Sequence, residues 1–310
     1  MMKKPFNIKG VWEVLKTTFR NFGSYHLPRH SAALSYYTIF SFAPLLVVLI
    51  AVAGLFFGQE LVTGRVNATL ADFLGSSTAR ELEQVVAKAS LQDKDSWAAI
   101  IGGATLLLAA SSVFGQIQES LNTIWGVRAK AKKGWLRMIR KRLLSFSIIA
   151  SLGFMLLVSL AVSALLDAFG NRLRTYFPEA TIIFFYIINT LITLAVVTLI
   201  FAVIFRFLPD TRTRWKDVWG GAVITGIMFL LGKLGISVYL SKANVGETYG
   251  AAGAIVVLLV WVYYSALILY IGAAITRNWM EYFGSGIKPD EDAATIKVVE
   301  METGRRYKTE

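Results

Sequence analysis

The fold is decided by residues Ala251–Ile275, which read AAGAIVVLLVWVYYSALILYIGAAI and contain no charged residue. An α-helix rises about 1.5 Å per residue, so roughly 20 apolar residues cross the bilayer's hydrocarbon core of about 30 Å. The 25 residues of this stretch therefore predict a transmembrane helix.

Five other long apolar segments precede this one. The six segments are Ala32–Phe57, Trp97–Phe114, Leu143–Leu166, Ile182–Phe205, Val218–Leu240 and Ala251–Ile275. Together they hold 140 of the 310 residues, and Lys233 is their only charged residue. Hydrophobic residues make up 55% of the chain, above the roughly 45–50% of an ordinary soluble domain. We predict an all-α integral membrane protein whose six transmembrane helices occupy residues 31–276.

Positive charge is distributed unevenly between the loops. With the amino terminus in the cytosol, the inner segments hold 24 of the 32 Lys and Arg residues, and the outer segments hold 7. Cytoplasmic loops are the ones enriched in Lys and Arg, so both termini are predicted to be cytosolic. Most of the net charge of +12 is thus accounted for by the orientation of the protein in the membrane. We therefore expect no nucleic-acid partner.

Three regions outside the predicted spans have distinct patterns. Residues 1–30 form a cytosolic segment with an amphipathic helix over Phe6–Phe22, which lies either on the inner leaflet or against the end of the bundle. Segment 59–96 predicts two short amphipathic helices that cap the outer face. The tail, residues 277–310, alternates charge without a strong apolar pattern, so we expect it to be cytosolic and largely disordered.

The inner loop 126–142 is strongly basic and contains no acidic residue. Its basic residues are Arg128, Lys130, Lys132, Lys133, Arg137, Arg140, Lys141 and Arg142. Such a cluster suits anionic lipids of the cytosolic leaflet, at about 1 kcal/mol per Lys or Arg. The alternative is that the cluster serves only to orient the neighbouring helices in the membrane.

Lys233 is the one charge that this topology does not explain. It lies roughly 6 Å from the middle of the fifth span, where a charge costs at least about 2.5–3.5 kcal/mol. It should therefore face a polar cavity, a partner or an anionic substrate. The alternative is that its long stem carries the ammonium group to the outer headgroups.

The first span has an aromatic and hydroxyl-rich half before Pro44, which removes a backbone hydrogen bond and should bend the helix. This hydroxyl-rich half of the first span either lines a cavity or only packs against neighbouring helices. Our candidate substrate path consists of Lys233, Tyr36, Tyr37, Ser41, Pro44, Tyr249, Trp261 and Tyr264.

Signatures of catalysis and metal binding are weak in this sequence. His26 and His30 are spaced four apart, but Pro28 lies between them and no nearby carboxylate or thiolate completes a tetrahedral metal site. No nucleotide-binding glycine loop, GxSxG elbow or HExxH motif occurs. The chain has no cysteine, which excludes disulfides and thiol chemistry. We expect no enzyme activity, no metal and no cofactor.

Three runs of sequence resemble the YihY/BrkB family of bacterial inner-membrane proteins. These are Ser31–Leu46 (SAALSYYTIFSFAPLL), Ser112–Trp125 (SVFGQIQESLNTIW) and Tyr249–Gly272 (YGAAGAIVVLLVWVYYSALILYIG). The resemblance implies a six-span bundle with cytosolic termini in the bacterial inner membrane, and no settled activity. Members have been labelled ribonuclease BN or virulence factors. Metal-dependent nucleases need a cluster of His and carboxylate ligands, so we expect no ribonuclease activity here.

Two hypotheses for function remain open. The first is a transporter of a lipid or another amphipathic anion, which would use Lys233 and the first span. The second is a non-transporting scaffold for envelope or lipid-modifying partners, which needs only packing surfaces. The sequence leaves the oligomeric state open.

Overall fold

The computed structural model describes residues 7–74, 76–90, 112–130, 178–243, 253–284 and 286–296. This part of the chain is mostly helical. The helices are α1 (Ile8–Arg20), α2 (Leu27–Phe57), α3 (Gln59–Leu74), α4 (Ser76–Ser90), α5 (residues 112–124), α6 (Pro178–Phe207), α7 (Trp215–Ala243) and α8 (Gly253–Tyr282). Two short strands, β1 (Val127–Ala129) and β2 (Ala293–Thr295), pair antiparallel with each other.

Three stretches of helix in the described residues are long and apolar enough to cross a membrane. They are Ile187–Phe207 in α6, Trp215–Ile236 in α7 and the whole of α8, and they coincide with the last three predicted segments. The first predicted segment lies within α2, which runs without a break for 31 residues through position 44. Residues 97–111 and the segment Leu143–Leu166 lie outside the described residues. The six-span count therefore stays a prediction.

Segment 59–96, for which two short helices are predicted, contains the helices α3 and α4, and their place on the outer face stays a prediction. Val62 of α3 packs with Leu46 and Ile50 of α2. Leu82 of α4 packs with three buried residues of α8, which are Val257, Leu258 and Val262. Both helices thus bury one apolar face against a long helix, as their amphipathic patterns require.

Helix α8 is the centre of the described bundle and packs against α7, α2 and α1. Small residues allow α7 and α8 to approach closely. A Cβ atom at Gly221 would overlap the side chain of Thr276, and one at Gly272 would overlap Thr225. Both threonine hydroxyls donate within their own helices, Thr225 to the Gly221 carbonyl at 2.6 Å and Thr276 to the Gly272 carbonyl at 2.8 Å. These reciprocal Gly–Thr contacts are typical of close packing between membrane helices.

Helix α1 contacts the bundle through a narrow face of small residues. Gly10, Val14 and Thr18 are buried, while Ile8 and Trp12 are 83% and 67% exposed. Tyr282 and Phe283, at the end of α8, occupy the space that a side chain at position 10 would need. The two alternatives for this segment are thus compatible, because α1 packs on the bundle and still leaves an apolar face for lipid or a partner.

The prediction of a largely disordered tail is wrong for residues 277–296. Residues 277–282 complete α8, and β2 then pairs with β1. The main chain also pairs with the α6–α7 loop, through Arg212 N–H to the Lys288 carbonyl (2.8 Å) and Asp290 N–H to the Asp210 carbonyl (3.0 Å). Composition missed this order because backbone hydrogen bonds to distant parts of the chain, which composition does not encode, help to hold the segment. Residues 297–310 lie outside the described part of the chain.

Candidate functional site

A cleft between α7 and α8 brings together three of the residues predicted for the substrate path. Lys233 of α7 lies beside Trp261 and Tyr264 of α8. The described lining consists of Phe229, Lys233, Ile236, Trp261, Tyr264, Ser265 and Ile268. The space is about 10 Å³, enough for a single water molecule.

Gly232 sets the distance between the two helices at this level. A Cβ atom there would lie 2.6 Å from Ile268 Cδ1, 2.9 Å from Tyr264 Cε1 and 3.0 Å from the Tyr264 hydroxyl, so a larger residue would displace these two side chains. The close approach places the partly buried Lys233 against the aromatic face of α8. No Asp or Glu is among the described lining residues. An ammonium group with aromatic rings and a hydroxyl group beside it suits an anion that also carries an apolar part.

The candidate residues of α2 lie apart from this cleft. Tyr36 and Tyr37 are 62% and 41% exposed, and their rings contact each other. Ser41 is buried, and its hydroxyl lies 3.3 Å from that of Ser112 in α5. Other hydroxyls of this half bond within their own helix, as Ser35 does to the Ser31 carbonyl. Ser35 and Ser41 are thus engaged in contacts within and between helices, while Tyr36 and Tyr37 are exposed, and a substrate path along this half of α2 stays a prediction.

The remaining path and lipid-contact residues are described only in part. Tyr249 and the side chain of Pro44 lie outside the described residues. Arg128 and Lys130 are exposed, and Lys130 Nζ donates to the Glu291 carbonyl at 3.2 Å. The other six basic residues of the loop lie outside the described part of the chain. They are Lys132, Lys133, Arg137, Arg140, Lys141 and Arg142.

A cluster of polar contacts that the sequence did not reveal lies where α5, the α6–α7 loop and residues 286–296 meet, which we call the polar end. Gln118 Nε2 and Asn122 Nδ2 donate to the two carboxylate oxygens of Asp210, at 3.2 and 2.9 Å. The Asp210 N–H donates to Asn122 Oδ1 at 2.8 Å. The four-residue spacing of Gln118 and Asn122 indicated a shared polar face, but nothing in the sequence identified a partner 88 residues away.

The last turns of α8 are joined to the polar end and to α1. Asn278 Nδ2 donates to the Thr18 hydroxyl at 2.8 Å, and the Tyr25 hydroxyl donates to Asn278 Oδ1 at 3.3 Å. Trp125 is fully buried, and its Nε1–H donates to the Ala273 carbonyl at 3.0 Å. Arg277 Nη1 donates to the Ile124 carbonyl. These contacts are suited to holding helices in place rather than to chemistry.

His30, near the start of α2, has an electrostatically unusual position. Its ring packs edge-on against Tyr270 with 5.9 Å between centroids. Burial lowers the pKa of His30 below its usual 6.5, His26 lowers it further, Glu119 raises it and Arg29 lowers it. Burial of the ring thus disfavours the charged form of His30.

The family model described as virulence factor BrkB matches residues 18–296, which include α2 to α8 and both strands. The chain belongs to the BrkB family. The resemblance found in the three sequence runs is thereby confirmed, and the chain is a membrane protein.

Relatives of similar sequence are also named as membrane proteins. The UPF0761 membrane protein of Verminephrobacter eiseniae is 27% identical over 273 residues, which are 86% of this chain and 62% of the relative. That of Saccharophagus degradans is 26% identical over 279 residues, 90% of this chain and 62% of the relative. One from an Enterobacter species is 29% identical over 215 residues, 67% of this chain and 66% of the relative.

This BrkB-family chain thus spans about three-fifths of the length of the first two relatives. The relatives' names specify a membrane protein and give no ribonuclease activity. No solved structure matches the chain.

Proposed function

We propose that this BrkB-family protein moves a lipid or another amphipathic anion across the bacterial inner membrane, with Lys233 as its binding charge. The observation that carries the proposal is the cleft in which Lys233, Trp261, Tyr264 and Ser265 meet. A lysine within an apolar span costs at least about 2.5–3.5 kcal/mol, which favours a functional reason for its presence. Aromatic rings beside the ammonium group would accommodate the apolar part of the substrate.

The proposal includes the topology that the charge distribution favours. Six spans cross the membrane, both termini are cytosolic, and α3 and α4 cover the outer face. Lys233 lies 18 residues beyond Trp215, the inner end of α7. At about 1.5 Å per residue this is about 27 Å, so Lys233 belongs to the outer half of the bilayer. The basic loop 126–142 then contacts anionic lipids of the cytosolic leaflet.

Substrate entry would require α7 and α8 to separate around Lys233. The present cleft holds about one water molecule, far less than a headgroup. The Gly–Thr contacts at Gly221 and Gly272 lie closer to the polar end, so the helices can part at Lys233 while these contacts remain. Binding and release would then correspond to two conformations of one helix pair.

Transport of fluorescent phosphatidylglycerol in liposomes that contain the full chain tests this proposal. We expect the wild-type protein to accelerate transfer between leaflets and Lys233→Ala to slow it about tenfold, a change of about 1.4 kcal/mol in the barrier. Lys233→Arg, which keeps the charge, should retain most of the rate. Lys288→Ala removes an exposed positive charge elsewhere and is the matched control. Equal rates for empty and protein-containing liposomes, or for wild type and Lys233→Ala, would refute the proposal.

A non-transporting scaffold is the second candidate. The small size of the cleft and the exposed apolar face of α1 favour it. A photoreactive amino acid at Trp12, which is 67% exposed, tests this alternative in cells. Discrete protein adducts from position 12, together with no acceleration of lipid transfer in liposomes, would support the scaffold. Adducts to lipid alone would contradict it.

A further inference from the structure

Arg206 lies in the last turn of α6, next to two aromatic rings. Its guanidinium carbon is 5.8 Å from the centre of the Phe207 ring and 5.6 Å from that of Trp215. The two rings also contact each other, with 5.7 Å between centroids and an angle of 78°. We call these three side chains the Arg206 patch.

The patch lies at a membrane edge. Its residues end one candidate span, Ile187–Phe207, and begin the next, Trp215–Ile236. Phe207 is 55% exposed, and Trp215 is 39% exposed. Aromatic side chains and arginine at the ends of spans are characteristic of the interface between hydrocarbon and headgroups.

The guanidinium group of Arg206 lacks an oxygen acceptor among the described residues. Its Nε atom is buried and has no hydrogen-bond partner there. Aromatic faces attract the positive charge but accept no conventional hydrogen bond, and arginine carries five N–H donors. Asp217, the acid in the first turn of α7, is buried beside Gly284, where its Oδ1 would lie 3.0 Å from an added Cβ.

Arg212, in the loop that follows α6, provides a contrast. It forms an ion pair with Asp290 at 3.1 Å and another with Glu291. These carboxylates raise the pKa of Arg212. The protein therefore supplies its own acceptors for Arg212 and, within the described residues, none for Arg206 Nε.

An exposed apolar path continues from the patch along α7. Trp219, Val223 and Ile227 follow at four-residue spacing and are each about 40% exposed. Residues at this spacing occupy neighbouring positions on one side of a helix. The path leads from the Arg206 patch toward the apolar middle of the span, the direction that an acyl chain takes from its headgroup.

We propose that the Arg206 patch binds the phosphate of an anionic phospholipid in the adjoining leaflet, with an acyl chain along Trp219, Val223 and Ile227. Because Nε is buried, the two terminal nitrogen atoms of the guanidinium group would donate the hydrogen bonds to phosphate. A free phosphate would make no use of the exposed aromatic and aliphatic side chains. This site is separate from Lys233, and its occupation does not depend on transport.

Native mass spectrometry of the full chain tests the site directly. The purified protein is titrated with phosphatidylglycerol and, separately, with phosphatidylcholine of the same acyl chains. We expect tighter binding of phosphatidylglycerol to the wild type and about a tenfold loss of that preference in Arg206→Gln. Arg212→Gln removes the same charge six residues further along the chain and should leave the preference unchanged.

Two further variants distinguish lipid binding at the Arg206 patch from a general effect of lost charge or misfolding. Arg206→Lys keeps the charge without the planar group and should give intermediate binding. Trp215→Leu leaves the arginine in place and should weaken the binding of both phosphatidylglycerol and phosphatidylcholine. This variant keeps the test valid if Arg206→Gln fails to fold. An unchanged preference in Arg206→Gln, an equal loss in Arg212→Gln, or displacement of the lipid by excess inorganic phosphate would overturn the proposal.

Discussion

The two halves of α8 differ in how their polar groups are used. Toward the polar end, Asn278 is buried and bonded to Thr18 and Tyr25, while Arg277 is bonded to the Ile124 carbonyl. Around Trp261 and Tyr264, the same helix is only partly buried and borders a cleft that contains Lys233. One half of the helix is fixed by specific contacts, and the other half adjoins a charge in an apolar setting.

Under the proposed function, the two halves of α8 have different roles. Polar groups with matched partners stabilise a single arrangement, because breaking any contact leaves a buried group unsatisfied. A lysine in an apolar span weakens insertion, and under the proposed function the binding of an anionic substrate compensates for this cost. We therefore expect substitutions in the fixed half to lower stability, and substitutions at the cleft to change activity while stability stays the same or rises.

The largest effect is expected from Gly272→Leu. The new side chain would overlap Thr225 and force α7 and α8 apart, with a loss of about 3 kcal/mol or more in the free energy of unfolding. Thermal unfolding in detergent, followed by circular dichroism, measures this loss. Gly235→Ala is the matched control, because no atom lies within 4 Å of its added Cβ. A wild-type melting temperature for Gly272→Leu would contradict the close packing.

Lys233→Met tests the other half of the helix. The change removes the charge and keeps a long side chain, so stability should stay equal or rise by up to about 2.5 kcal/mol. The same unfolding measurement applies, combined with the liposome assay. A large loss of stability would show that Lys233 belongs to the structural contacts, and the contrast between the two halves would then fail.

Asn278→Leu should lower the free energy of unfolding by about 1–2 kcal/mol, because it leaves the buried Thr18 hydroxyl without its donor. Detachment of α1 should follow, and limited proteolysis near residues 21–26 would report it. Asn189→Leu, at an exposed position of α6, is the control and should behave like the wild type. Unaltered cleavage near α1 in Asn278→Leu would refute this role.

The smallest effect concerns His30 and pH. Because the folded state lowers the pKa of His30, its neutral form stabilises the fold fully above pH 6.5, and this contribution is lost as the pH falls through 6.5 toward the lowered pKa. We expect the melting temperature to fall between pH 7.5 and pH 5.5, and to fall less in His30→Gln. His26, Arg29 and Glu119 also act on this group, so Glu119→Gln should lower the pKa further. Identical pH profiles for wild type and His30→Gln would exclude this contribution.

The elements of this protein could be predicted from the sequence because their signals are local. The long apolar segments, the helices between 59 and 90, and α1 all follow from composition and period. The grouping of Lys233 with Trp261 and Tyr264 depends on which faces of α7 and α8 meet, and only the folded chain shows this. The tail escaped prediction because its order depends on main-chain pairing with β1 and with the loop around Asp210.

The sequence by itself determined that this is a helical membrane protein and that Lys233 is the one charge in its apolar segments, since transfer of side chains into hydrocarbon depends on the residues alone. Only the tertiary structure decided which polar groups have partners. It joined Asp210 to Asn122 and Arg212 to Asp290, and it placed Arg206 between two aromatic rings. The reason is physical: hydrogen bonds and ion pairs act over a few ångströms, and residues distant in the chain come that close only when the helices pack.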